Sequence, residues 1–75
     1  MKFNEKDLLV SLVDVFDKDV DQMNLDDIFK DYDEWDSVAA LSLVASIEDN
    51  FEIIISGDDI DNFNTIRDIL NFINK

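Results

Sequence analysis

Apolar residues recur at helical spacing in the first part of the chain and predict its first helix. This helix is expected from about Glu5 to Phe16, and Asn4 is a suitable N-cap because its side chain can accept a backbone N–H. Asp7, three residues after Asn4, resembles the acidic partner of a capping box. The apolar stripe of the helix consists of Leu8, Leu9, Leu12, Val13 and Phe16.

A second helix is predicted from Ser37 to about Asn50, and its first turns are apolar on nearly every side. A helix of this kind is usually central and packed by several neighbours. One strip at helical spacing carries only small or polar groups, and we expect it to face outward: Ala39, Ser42, Ser46 and Asp49. The opposite stripe should face the core: Ala40, Val44, Ile47 and Phe51.

The segment 51–56 is short and β-branched, which is typical of a strand. Because the sequence has no second strand-like run to pair with it, we interpret it as an extended connector with Ile53 or Ile55 turned inward. Ser56 then caps a short third helix over residues 57–61, with Asp59 as the acid three positions on.

A last helix begins at Asn64 or Thr65 and ends near Asn74. Its inward stripe consists of Ile66, Ile69, Leu70 and Ile73. Three long helices and one short helix predict an all-α fold, a small antiparallel four-helix bundle formed by a single domain over residues 1–75.

The long first loop of this bundle, from Asp17 to about Trp35, is rich in acids. A fully solvated loop would not need its apolar residues, so we expect some of them to attach it to the core. They are Met23, Leu25, Ile28, Phe29 and Tyr32.

The loop opens with Asp17, Asp19 and Asp21, the spacing with which a calcium-binding EF-hand loop begins. An EF-hand then needs glycine at its sixth position and a bidentate glutamate at its twelfth. Gln22 and Ile28 occupy those positions, so we favour a solvated surface that binds divalent cations weakly at most.

Composition excludes several classes of function. The 75 residues include nineteen acids, six bases and no cysteine, histidine or proline, and the net charge is −13. A Cys/His zinc site, a thiol nucleophile and an imidazole base are therefore excluded. The negative field repels nucleic acid and anionic membranes and favours basic partner surfaces. No signal peptide or membrane span is evident, so we expect a cytoplasmic monomer that is too small to be a free-standing enzyme.

Asp36 and Ser37 stand where the acidic loop meets the most apolar helix. Asp-Ser at a helix start is common and can be a plain N-cap. Ser37 has no base beside it and is not a self-activated nucleophile. It can instead accept a modification, because a helix N-terminus favours an attached phosphodiester.

The residues around this pair resemble the acyl carrier protein family. The resemblance includes Asp-Ser-Val at 36–38, Glu-Asp-Asn-Phe at 48–51, Ile55, the acidic pair at 58–59 and Asn-Thr-Ile at 64–66, and it covers about residues 5–73. It implies a four-helix carrier fold in which Ser37 bears a 4′-phosphopantetheine arm derived from coenzyme A. The thiol of such an arm carries acyl groups as thioesters, which fits a chain without cysteine.

The resemblance also implies the surroundings of the arm and the partners. The partner face would consist of Trp35, Val38, Ala39, Ser42, Ser46, Glu48 and Asp49. The acyl groove would be lined by Phe29, Ala40, Leu41, Val44, Ile47, Phe51, Ile55, Ile60, Phe63 and Ile69. The partners would be a phosphopantetheinyl transferase and an acyl-activating ligase, acyltransferase or synthase with basic patches.

Some positions differ from the carriers of fatty-acid synthesis. Ala39 and Ser42 are commonly acidic there, Val38 is usually leucine, and Ile60 and Phe63 are bulkier than is usual near the groove. These differences favour a specialised pathway over bulk fatty-acid synthesis.

Trp35 also departs from the small or aliphatic residue that is common before Asp-Ser. It has two interpretations, a core residue under the first loop or an aromatic surface beside the arm. For the whole chain, the alternative hypothesis is a small acidic interaction module without a prosthetic group.

The charge of −13 predicts a fold that is sensitive to salt, because exposed carboxylates repel one another until ions screen them. We expect the Tm to rise between low ionic strength and about 0.15 M salt, and to rise again with millimolar Mg²⁺ or Ca²⁺. Thermal melts followed by circular dichroism measure this, and a Tm that does not change with salt would contradict it.

Overall fold

Four α-helices form the framework of the protein. The computed structural model describes residues 2–75, and its helices are α1 (Glu5–Phe16), α2 (Ser37–Phe51), α3 (Gly57–Asn62) and α4 (Ile66–Ile73). The residues so described contain no β-strand, so the predicted all-α class with four helices is confirmed. The antiparallel bundle arrangement stays a prediction.

Each helix begins where a polar side chain satisfies a backbone donor of its first turn. The side chain of Asn4 accepts from the N–H of Asp7 at 2.8 Å, as its spacing predicts. Ser56 and Thr65 cap α3 and α4, and each forms a capping box with an aspartate three residues later. The predicted helix starts are therefore confirmed, and of the two candidates for α4 the cap is Thr65.

Two helices end without glycine. Asp17 after α1 has φ 54° and Glu52 after α2 has φ 57°, both in the left-handed region. A side chain there costs about 1–2 kcal/mol, less for aspartate, whose short polar group tolerates the conformation. The N–H of Glu52 donates to the carbonyl of Glu48 at 2.9 Å, which closes the last turn of α2.

The core is aliphatic and aromatic and draws on every helix. Its largest fully buried side chains are Leu8, Leu12, Phe16, Phe29, Leu43, Ile47, Ile66 and Ile69. Ile55 in the connector is buried, as predicted, and Ile53 packs against the core from a half-buried position. On α1 the inward stripe is shifted from the prediction, because Val15 is buried whereas Val13 is only partly buried at its edge. Leu70 lies similarly at the edge of the α4 stripe.

The long first loop is attached to the core by three of its five apolar residues, namely Met23, Leu25 and Phe29, which are buried. Tyr32 is half-buried and packs against the core, whereas Ile28 is exposed. The backbone of Ile28 forms an isolated antiparallel bridge with Thr65.

The same loop supplies acceptors to the start of α4. The N–H of Arg67 donates to the carbonyl of Leu25 at 2.8 Å, and the N–H of Ile66 donates to the carbonyl of Asp27 at 3.3 Å. The first N–H groups of a helix have no acceptor within the helix, so these carbonyls satisfy two of them. The loop is therefore fixed by backbone hydrogen bonds as well as by its apolar side chains.

The α4 capping box predicts how stability depends on pH. Hydrogen bonds from the backbone N–H groups of Asn64 and Thr65, at 2.8 and 3.0 Å, lower the pKa of the Asp68 carboxyl. Because this pKa is lowered on folding, the stabilisation is present above the unfolded value of about 4 and is lost as the pH falls through the folded pKa.

We therefore expect Asp68→Asn to lower the free energy of unfolding by about 1 kcal/mol at pH 7, and by less as the pH falls below about 4. Urea unfolding at several pH values measures the difference from the unmodified sequence. Asp33→Asn, at an exposed carboxylate, is the control for the removal of one negative charge. A loss of stability that is the same at every pH would show that the charge of Asp68 is not its cause.

Candidate functional site

Asp36 fixes the start of α2 and thereby the position of Ser37. Asp36 is extended, with φ −157°, and its side chain accepts from the N–H of Ala39 at 2.7 Å. Its carbonyl accepts from the N–H of Ala40 at 3.0 Å, the first hydrogen bond of the helix. Ser37 is consequently the first helical residue, and its side chain is exposed.

This helix start has the chemistry to hold a phosphodiester. The side chain and the carbonyl of Asp36 accept hydrogen bonds from the N–H groups of Ala39 and Ala40. The N–H groups of Ser37 and Val38 have no acceptor within the helix. They lie at the positive end of a fifteen-residue helix, which favours a bound anion. A phosphoryl group on the Ser37 hydroxyl therefore fits the residues present.

Trp35, directly before this pair, belongs to an aromatic cluster under the first loop, which consists of Phe16, Phe29, Tyr32 and Trp35. The Trp35 ring lies edge-on to Phe29 at 5.1 Å and tilted to Phe16 at 6.2 Å between ring centroids. The side chain is half-buried, and the backbone N–H of Trp35 donates to the carbonyl of Tyr32 at 3.0 Å. These contacts support the interpretation of Trp35 as a core residue.

Polar contacts around the aromatic cluster were not evident from sequence spacing. The Tyr32 hydroxyl donates to the Asp27 carboxylate at 2.6 Å. Burial is the main cause that raises the pKa of Tyr32, and this hydrogen bond is the second. Lys18 lies 3.4 Å from Glu34 and 4.9 Å from the centre of the Tyr32 ring. These polar contacts, together with the aromatic cluster, therefore hold the loop that leads to Asp36.

The strip of α2 predicted to face outward lies instead mostly toward α1. Ala39 is only 5% exposed, and Ser42 and Ser46 are half-buried. The Ser46 hydroxyl donates to the carbonyl of Ser11 at 2.7 Å, so the two helices are in direct contact here. The prediction was wrong because small side chains permit close approach of a neighbouring helix, and only Asp49 of the four is exposed.

The outward surface of α2 is more apolar than the surface that the sequence predicted. Val38 is 67% and Leu41 72% exposed, and Ala45 and Glu48 follow them at helical spacing in exposed positions. We call these residues the α2 ridge. The assignment of Leu41 to an interior groove is therefore wrong, whereas Val38, Glu48 and Asp49 lie at the surface as partner contacts require.

The other residues assigned to the acyl groove point into the protein. Seven are buried: Phe29, Ile47, Phe51, Ile55, Ile60, Phe63 and Ile69. Ala40 and Val44 are half-buried, and the predicted core stripe of α2 omitted Leu43, which is fully buried. Periodicity did not identify Leu43 because the helix has apolar residues around most of its circumference.

Two surface cavities, of about 530 and 570 Å³, lie along α1 and α2. Neither is lined by Ile60, Phe63 or another residue of α3 or α4. Within residues 2–75, no three acidic side chains are grouped so that they could hold a metal ion. Across the same residues, every helix is too short or too polar to cross a membrane.

Comparison with known families matches residues 6–73 to the phosphopantetheine attachment site family. The chain is similar to the acyl carrier protein of Exiguobacterium sibiricum, with 33% identity over 67 residues that make up 89% of this chain and 85% of that protein. It is 37% identical over 70 residues to the acyl carrier protein of Aster yellows witches'-broom phytoplasma, covering 93% of this chain and 88% of the relative. The acyl carrier protein of Onion yellows phytoplasma is 40% identical over 57 residues, 76% of this chain and 75% of its own length.

Proposed function

The chain belongs to the acyl carrier protein family, whose members carry a covalent 4′-phosphopantetheine, and from this premise we propose that Ser37 is the attachment residue. The observation that carries the proposal is the exposed hydroxyl at the first position of α2, directly after the Asp36 cap. No other serine combines exposure with the start of a long helix: Ser56 is the cap of the six-residue α3, and Ser11, Ser42 and Ser46 are half-buried within helices.

Loading of the arm requires an enzyme, because the chain lacks histidine and no base lies beside Ser37. A phosphopantetheinyl transferase would remove the hydroxyl proton, and the Ser37 oxygen would attack the phosphorus next to the pantetheine of coenzyme A. A bond forms between that phosphorus and the serine oxygen, the pyrophosphate bond breaks, and adenosine bisphosphate leaves. The N–H groups of Ser37 and Val38 at the start of α2 would hold the phosphodiester.

The arm supplies a thiol to a chain that has none of its own. Acyl groups are held on that thiol as thioesters and presented to other enzymes, so the chain itself is a carrier and performs no catalysis. This assignment is favoured over an acidic interaction module without a prosthetic group, because the family is defined by the attachment site.

Coexpression with a phosphopantetheinyl transferase tests the attachment residue. We expect intact-protein mass spectrometry to show one added arm on the protein that retains Ser37 and none on Ser37→Ala. Ser42→Ala, five residues along the same helix, is the matched control and should be loaded fully. A loaded Ser37→Ala protein, with peptide mapping to another serine, would contradict the assignment.

We propose a specialised pathway with short or polar cargo. The support comes from the interior beside α3, where the Ile60 and Phe63 side chains are buried and pack within the core. Phe63 also contacts Phe72 edge-on at 5.3 Å between ring centroids, which fixes its position. An added methylene chain would have to displace these groups, and overpacking a core costs about 1–3 kcal/mol.

Thermal melts of differently loaded carriers test the cargo proposal. We expect a long saturated acyl chain to raise the Tm of the holo protein no more than an acetyl group does. Ile60→Ala is the informative variant, because the volume that it opens should allow the long chain to stabilise more than acetyl. A marked stabilisation of the unmodified sequence by the long chain would support bulk fatty-acid synthesis instead.

The α2 ridge is the surface beside the arm that we propose for enzyme partners. Val38, Leu41 and Ala45 give it an apolar centre, with Asp36 near one end and Glu48 at the other. An acyl-activating ligase, acyltransferase or synthase would therefore make apolar contact at the centre. Its basic residues would lie at the ends, where charges mainly set the association rate.

A further inference from the structure

The two surface cavities along α1 and α2 share two lining residues, Val10 and Asn50, and together they outline a groove. We call it the α1–α2 groove. Ala45 lines it as well and belongs to the α2 ridge, so the groove adjoins the ridge on the side toward α1. It lies along the side of the helices and does not include Ser37.

The floor of the groove offers apolar contact, and two of its serine hydroxyls are hydrogen-bonded inside the protein. Val10 is 54% exposed, and Ala45 is exposed. The hydroxyls of Ser11 and Ser46 donate inside the protein, to the carbonyls of Leu8 and Ser11 at 2.6 and 2.7 Å. An apolar side chain placed over them would therefore not deprive these hydroxyl donors of their hydrogen bonds.

The rims of the groove carry three acids at helical spacing, Asp7, Asp14 and Asp49, against one base, Lys6. On α1, Asp7, Val10 and Asp14 follow the i, i+3, i+7 pattern and share one face. On α2, Ala45 and Asp49 repeat part of the pattern, with an acid one turn after an apolar residue. Asp7 and Asp14 are separated by about 10 Å along the axis, two helical turns.

We propose that the α1–α2 groove binds a cationic amphipathic helix of a partner protein. Apolar side chains of that helix contact Val10 and Ala45, and its Lys or Arg side chains, two turns apart, pair with Asp7 and Asp14. Charge decides the class of occupant, because a second copy of this chain would bring the same acidic rims into contact at a net charge of −13. The groove does not depend on the arm, so the proposal goes beyond the carrier function.

The test uses the full chain with the substitution Ser37→Ala, so that no arm is attached at the proposed residue. The probe is a synthetic helix of leucine and lysine with leucines at helical spacing, and a scrambled peptide of the same composition is its control. Titration is followed by calorimetry and by amide chemical shifts at about 0.15 M salt, where long-range attraction between exposed charges is largely screened. We expect the helical probe to bind at least tenfold more tightly than the scrambled peptide and to shift the amides of Val10, Ala45 and Asn50.

Matched variants distinguish groove binding from general charge attraction. Val10→Lys should weaken binding of the probe by about tenfold or more, because it removes an apolar contact and adds a like charge. Ile54→Lys makes the same change of charge at a 76% exposed aliphatic side chain in the connector after α2, and should weaken binding less than twofold. Ala45→Lys is a second groove variant, and circular dichroism verifies that all three remain helical.

Four outcomes of the binding measurements would overturn the proposal. They are an equal effect of Val10→Lys and Ile54→Lys, equal affinity for both peptides, no measurable binding of the helical probe, and amide shifts centred on Val38 and Leu41 instead of Val10. Self-association that Val10→Lys abolishes would also overturn it, since a second copy would then occupy the groove.

Discussion

The hydrogen bond between the Asp36 carboxylate and the N–H of Ala39 is the contact on which the site depends. It ends the long loop, starts α2 and leaves Ser37 exposed as the first helical residue. The aromatic cluster fixes the chain just before this point, and the hydrogen bonds of the loop to Ile66 and Arg67 fix it further back. The attachment residue is thus held by a packed loop and presented by a helix.

Charge is the second constraint, because six bases oppose nineteen acids. Three of the bases connect the loop to other parts of the chain or to itself. Lys18 pairs with Glu34, the exposed Arg67 pairs with Asp26 at 2.9 Å, and Lys30 donates to the carbonyl of Asp61 at 3.4 Å. An exposed ion pair contributes at most about 1 kcal/mol, so the buried aromatic and aliphatic side chains account for most of the attachment of the loop.

Local signals predicted the helices well, since caps such as Ser56 and Thr65 act within a few residues of themselves. The faces of α2 were predicted poorly, because a helix that is apolar all round has no single apolar stripe. Ala39, which was predicted to face outward, is buried, and Leu41, a large apolar side chain, is exposed. Such outcomes depend on the neighbouring helix and not on local spacing. The exposed backbone bridge of Ile28 and the hydrogen bond of Tyr32 to Asp27 likewise depend on the folded loop.

Backbone amide chemical shifts before and after loading measure most directly whether the start of α2 holds the phosphodiester. We predict that the largest changes between the apo and holo forms fall on the amides of Ser37 and Val38, whose N–H groups would hold the phosphate. The amides of Ser42, Ser46 and Ser56 should change little. Largest changes at one of those serines, with Ser37 and Val38 unaffected, would contradict the central claim.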